Sequence, residues 1–194
     1  MILRQNSWSI VQRERDVAFG ESEDTVKNIE REVRSHPFLS GLRENHLGAI
    51  CAEAKEVDFQ PGQIILRERE PAFNAYLLTS GKVNIEVHSR EYGREVVVDT
   101  VGAGEVLGWS WLFAPFCWHF QARAIEPSHA IVLDGALLMV RCEEDPQLGY
   151  TLMKRITQTL IRRVEAMRRR ILELNLSAKP MVPTAPVDEN RGHV

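Results

Sequence analysis

The chain has 194 residues, 44% hydrophobic and 26% charged, with a formal net charge of -3. This suits one compact domain with extensions and gives no global pull toward nucleic acid or an anionic membrane. Cys51, Cys117 and Cys142 lack CxxC spacing, and no apolar run is long enough for a signal peptide or a membrane span, which excludes a disulfide framework and predicts a cytoplasmic protein.

Residues 1–20, with the cluster Arg13-Glu-Arg-Asp16, form a predicted N-terminal extension. Ser22-Glu-Asp-Thr-Val opens a helix with acidic groups in its first turn, where they suit the helix dipole. After a turn at Pro37–Leu42, Arg43 to Glu56 reads as a second helix, with Leu47, Ile50 and Cys51 on one face. From Val57 the period changes to two. Phe59, Ile64–Leu66, Tyr76–Leu78, Val83–Val87, Glu95–Val101, Trp118–Ile125 and Ala130–Leu133 are strand signals, punctuated by Pro61-Gly62, Ser80-Gly81 and Tyr92-Gly93. The expected fold class is α+β: an antiparallel, jelly-roll-like β-roll flanked by N-terminal helices and a long C-terminal helix.

The helical period returns at Gly135–Arg141. Asp145-Pro146 then starts a long helix, with Asp as N-cap and Pro at the first helical position, running to about Leu176. Leu148, Leu152 and Ile156 are expected to pack on the roll. Leu160, Val164, Met167, Ile171 and Leu174, spaced four, three, four, three, form an a/d seam. The resulting divisions are 21–144 for the roll with its helices, 145–176 for the long helix, and 177–194 for a Pro-containing tail predicted to be disordered.

The segment from Gly102 to Trp118 stands apart, with Gly102, Gly104 and Gly108 followed by Trp109, Trp111 and Trp118. Together with Phe38 and Leu42, Pro61-Gly62-x-Ile64, Tyr76-x-Leu78-x-x-Gly81-x-Val83, Gly104-Glu105-x-x-Gly108 and Ala122-x-Ala124, it resembles the cyclic-nucleotide-binding domain superfamily, over about His36 to Leu176. That superfamily includes catabolite activator protein and the regulatory subunits of protein kinase A. The resemblance implies a short helix after Gly108 whose amides hold a cyclic phosphate, a glutamate directly after that glycine for the ribose, and an arginine about ten positions on for the phosphate.

The glutamate position is Trp109. The arginine position falls on Trp118 counting back from Ala124, or on His119 counting forward from Gly108. Two charge-assisted hydrogen bonds are therefore missing. At roughly 1.5–3 kcal/mol each, their loss weakens binding by about two to four orders of magnitude if additive. Arg123, the nearest cation, is expected on the opposite strand face from position 118. The candidate cassette is Gly104, Glu105, Gly108, Trp109, Ser110, Trp118 and His119. It establishes no cofactor, disfavours a cyclic nucleotide, and leaves a non-standard small ligand open. The aromatic residues Trp109, Trp111, Phe113, Phe116, Trp118 and Phe120 either fill the emptied pocket or line a site for another ligand.

Other chemistry is less well supported. Cys117, His119 and His129 have no zinc-ligand spacing, so no metal site is assigned. His88 and Glu91 make no His-x-His pair of the kind a metal-dependent roll enzyme uses, and no catalytic triad stands out. The expectation is a non-enzyme. Arg155, Arg162, Arg163 and Arg168–Arg170 are interspersed with Glu165 and Glu173 and read as a solvated face. The tail from Ser177 is too short for a helix-turn-helix, so sequence-specific DNA binding is not expected. Two readings remain: a homodimeric regulatory module that senses a non-standard ligand, and a ligand-free module that docks onto an unidentified protein partner.

Overall fold

Alternating burial along the strands builds two four-stranded antiparallel sheets that face each other. The computed structural model describes residues 23–89 and 93–177, so the expected N-terminal extension, the tail beyond Ser177, and Glu91 lie outside the described residues. Helices α1 (Glu23–Ser35) and α2 (Glu44–Cys51) precede the roll, with a 3-10 turn at Pro37–Leu39 between them. The strands are β1 (Lys55–Phe59), β2 (Ile64–Leu66), β3 (Asn74–Ser80), β4 (Lys82–Ser89), β5 (Arg94–Gly102), β6 (Val106–Leu107), β7 (Gln121–Ala124) and β8 (Ser128–Asp134). Helices α3 (Gly135–Glu144) and α4 (Pro146–Ser177) follow. One sheet has the order β1-β8-β3-β6 and the other β2-β7-β4-β5. Leu77, Leu78, Val83, Val101 and Ile131 are fully enclosed in the core. The α+β class read from the sequence is the observed one.

Three boundaries differ from expectation. The second helix stops at Cys51 rather than Glu56, and Lys55–Phe59 instead pairs with Ser128–Val132 of β8. Tertiary strand pairing outweighs local helical propensity there. The strand expected over Trp118–Ile125 is only Gln121–Ala124. Trp118 is spent on a loop-to-loop contact: its N–H donates to the Glu70 carbonyl and its carbonyl accepts from the Arg69 N–H, both at 2.8 Å. Strand β6 is two residues long, too short to carry a period.

Caps fix where the C-terminal helices begin. Asp134 Oδ1 accepts from the Ala136 and Leu137 N–H groups at 2.8 and 3.1 Å. Asp145 Oδ1 accepts from Gln147 and Leu148 at 3.0 and 3.2 Å, while its Oδ2 meets His46 Nε2 at 2.7 Å. The start of α4 is thereby tied to α2. The expected inward residues Leu148, Leu152 and Ile156 are all buried. Full burial of each contributes roughly 1.5–3 kcal/mol, so α4 is held to the roll along its first half.

Candidate functional site

Gly108 follows directly on β6 and has φ +82°, a conformation that only glycine adopts without strain. A Cβ there would lie 2.9 Å from the Asn74 carbonyl oxygen and 3.0 Å from Trp118 Cη2. The Trp118 ring is therefore laid edge-on against the Gly108 backbone, and only 8% of the residue remains exposed. The two residues counted from the sequence are placed differently. Trp118 points inward at Gly108, whereas His119 is exposed and its Nδ1 lies 3.0 Å from Ser110 Oγ.

The expected short helix is one 3-10 turn, Ser110–Leu112, begun by Trp109. At its C-terminal end Leu112 donates to the Trp109 carbonyl at 3.0 Å and Phe113 to that of Ser110 at 3.4 Å. Trp111 is buried with its indole N–H donating to the Gly108 carbonyl at 3.1 Å, and a Cβ on Gly135 would sit 2.5 Å from its Cγ. A cavity of about 20 Å³ with a wholly apolar lining lies between the helices and the roll, bounded by Phe38, Ile50, Leu77, Gly108, Trp111 and Leu152. That is room for about one water and no polar partner to hold it. The aromatic set splits by position. Trp111 and Trp118 are core, Trp109 and Phe120 are half-buried, and Phe113 and Phe116 are exposed.

Upstream, the glycine turn keeps its frame. Gly104, at φ +85°, donates to the Leu78 carbonyl at 2.7 Å. Glu105 Oε2 accepts from the Gly102 N–H at 2.8 Å, closing the turn on itself. Arg123 is committed elsewhere: its Nε lies 3.2 Å from both oxygens of buried Glu86, and its Nη1 donates to the Gly62 carbonyl at 3.0 Å. Gln121 completes the group, its Nε2 donating to Glu86 Oε2 at 2.8 Å.

A residue read from the sequence as solvated turns out to complete the site. Arg163 of α4 is buried, with its guanidinium 4.6 Å from the centroid of the Trp109 ring. Its Nη2 donates to the Val106 carbonyl at 2.8 Å and its Nε lies 3.4 Å from Asp99 Oδ2 on β5. Burial pushes the Arg163 guanidinium below its ordinary range, and the charges of Asp99 and Glu105 oppose that shift. Arg155, on the same helix, donates to the carbonyls of Phe38 and Ser40. The sequence signal was present: Leu152, Ile156, Thr159 and Arg163 continue the inward face with spacings of four, three and four, and all are buried.

The sequence seam lies beside this face, turned by about 80° at 3.6 residues per turn. Leu160 and Met167 are half-buried, while Val164 is 65% and Ile171 58% exposed; the Leu174 side chain lies outside the described residues. Cys117, His119 and His129 do not form one group. Cys117 Sγ donates to the Pro115 carbonyl, His119 meets Ser110, and the polar partners of His129 are Glu32 and Asp58. His88 pairs instead with Glu95 at 3.2 Å.

The span from β1 to the end of α3, residues 56–145, matches the cyclic nucleotide-binding domain family. These residues are thus similar to a cyclic nucleotide-binding domain. The chain is similar over 125 residues, at 25% identity, to the CRP-like cAMP-activated global transcriptional regulator of Mycobacterium tuberculosis. The match covers 64% of this chain and 55% of the regulator, so the chain spans little more than half the length of that relative. A candidate cyclic nucleotide-binding protein from Geobacter metallireducens shares the fold with TM-score 0.62 and 27% identity, over 70% of this chain and 97% of that one. The regulatory subunit of a cAMP-independent protein kinase A from Trypanosoma brucei, solved as a triple mutant with cAMP in its A site, has TM-score 0.60 at 20% identity, over 76% and 52%. The matched span includes the whole candidate cassette from Gly104 to His119. No described helix is long and apolar enough to cross a membrane.

Proposed function

We propose that this chain is a regulatory, non-catalytic module of cyclic-nucleotide-binding type that does not bind cAMP tightly, self-associates through α4 and acts by docking onto a partner protein. The observation that carries this reading is the Trp118 ring, at one of the two candidate arginine positions, packed on Gly108. A cyclic phosphate cannot occupy that place without expelling the indole. Arg163 supplies a cation near Glu105 and Asp99, but it is spent on Trp109, Val106 and Asp99. These contacts latch α4 to the cassette. The exposed stripe of Ile161, Val164 and Ile171 on the same helix supports a homodimer contact or a partner surface.

A second reading, sensing of a small non-nucleotide ligand, draws support from the half-exposed Trp109 ring beside the Ser110–His119 pair. Native mass spectrometry of freshly purified full chain separates the two. The docking reading predicts a dimer without bound small molecule, and a stoichiometric retained ligand would replace it with the sensing reading.

A further inference from the structure

A second polar cluster lies where α1 crosses the β1–β8 edge of the roll, and the cassette makes no use of it. Glu32 of α1, Glu56 of β1 and His129 of β8 each bring one ligand-type atom within 4.8 Å of the others. His129 Nδ1 lies 2.8 Å from Asp58 Oδ1, and Nε2 lies 3.3 Å from Glu32 Oε2. Nδ1–H donates to Asp58, so in the neutral ring the lone pair sits at Nε2, toward Glu32. Both Nε2 and Glu32 Oε2 are buried, and neither has a hydrogen-bond partner among the described residues. In that tautomer two lone pairs face each other, and a proton or a metal ion between them relieves the repulsion.

The surroundings favour a positive centre there. Three carboxylates, those of Glu32, Asp58 and Glu56, place negative charge at the His129 ring. The Asn28 side-chain amide holds Glu56 Oε1, which leaves Oε2 available. A tetrahedral ion bound by imidazole nitrogen and carboxylate oxygen at about 2.0–2.2 Å sets those two atoms roughly 3.3–3.5 Å apart. The observed separation is 3.3 Å.

We propose that Glu32, Glu56 and His129 form a divalent metal site suited to Zn²⁺, with Asp58 as the outer carboxylate that orients the imidazole. One His and two carboxylates suit a borderline first-row ion, and a carboxylate on the far ring nitrogen is the usual support of a metal-bound histidine. The ion pins α1 to two strands of one sheet, so its effect is to fasten the N-terminal helix to the roll. This inference does not depend on the state of the cassette.

The test is calorimetric titration of ZnCl₂ into chelator-stripped full chain, with X-ray absorption on the loaded protein. The expected result is one Zn²⁺ per chain and a first shell of nitrogen and oxygen without sulfur. His129→Gln abolishes that binding, and Asp58→Asn weakens it by about 10–100-fold. Far-ultraviolet circular dichroism confirms that each variant is folded; should His129→Gln unfold, Glu56→Gln serves in its place with the same expected loss. Absence of binding in the millimolar range by folded wild-type chain overturns the proposal. So does zinc bound with unchanged affinity by the folded variant, or sulfur in the first shell.

Discussion

Replacing Trp118 with alanine removes the side chain that fills the cassette. An indole buries about 150–250 Å², and at about 25 cal/mol per Å² the transfer contribution is roughly 4–6 kcal/mol. Trp118 is 8% exposed, so nearly all of it is lost on truncation. A compact unfolded chain lowers the figure, and core Trp-to-Ala replacements cost about 3–5 kcal/mol. We therefore expect a loss of about 4 kcal/mol, within the stability of an ordinary domain. Urea denaturation followed by circular dichroism measures it. The hole left behind is indole-shaped and its floor is Gly108, so added indole stabilises the variant and not the wild type. Indole at ten times its dissociation constant returns about 1.4 kcal/mol. A loss below about 1 kcal/mol, or equal stabilisation of the wild type by indole, refutes the packing argument, because a core truncation of this size cannot be so cheap.

The remaining predictions concern α4 and pH. Arg163→Ala costs about 3 kcal/mol, since it strands Asp99 and frees the Trp109 face, and Arg163→Lys recovers little because the planar stack is lost; hydrogen exchange of α4 beyond Ile156 accelerates in both. His36 is buried with Nδ1 accepting from the Phe38 N–H and Nε2 donating to the Leu78 carbonyl. Burial pushes its imidazole down, against that hydrogen bond and the charge of Glu32. With the folded value below the unfolded one of about 6.5, the unfolded chain takes the proton first. The His36 contribution is complete above pH ~6.5 and is lost as pH falls toward the folded value. His129, raised in the fold, has the opposite sign: its contribution is complete below pH ~6.5 and fades as pH rises through the folded value. His36→Gln should therefore flatten the stability profile on the acid side of pH ~6.5, as read from denaturation midpoints; an unchanged acid limb contradicts the assignment.

The roll was legible because strands of alternating burial and glycine turns leave a period in the sequence, as along Val83, Ile85 and Val87. The start of α4 was legible because Asp145 and Pro146 act locally. Arg163 was not, because charge alone says "solvated", and only its register with Leu152, Ile156 and Thr159 betrays burial. The choice between Trp118 and His119 also needed the fold, since the loop from Trp109 to Phe120 has no period to count along. The Glu32–Glu56–His129 cluster joins three elements far apart in sequence, and no spacing rule reaches that distance.

The central claim is that the cassette keeps its glycine turn and has lost its ligand. Isothermal titration of cAMP into the full chain tests it most directly. The account predicts no binding in the nanomolar range, with affinity at least about two orders of magnitude weaker than a cassette with both charged contacts. Nanomolar binding of cAMP by the wild-type chain would contradict it.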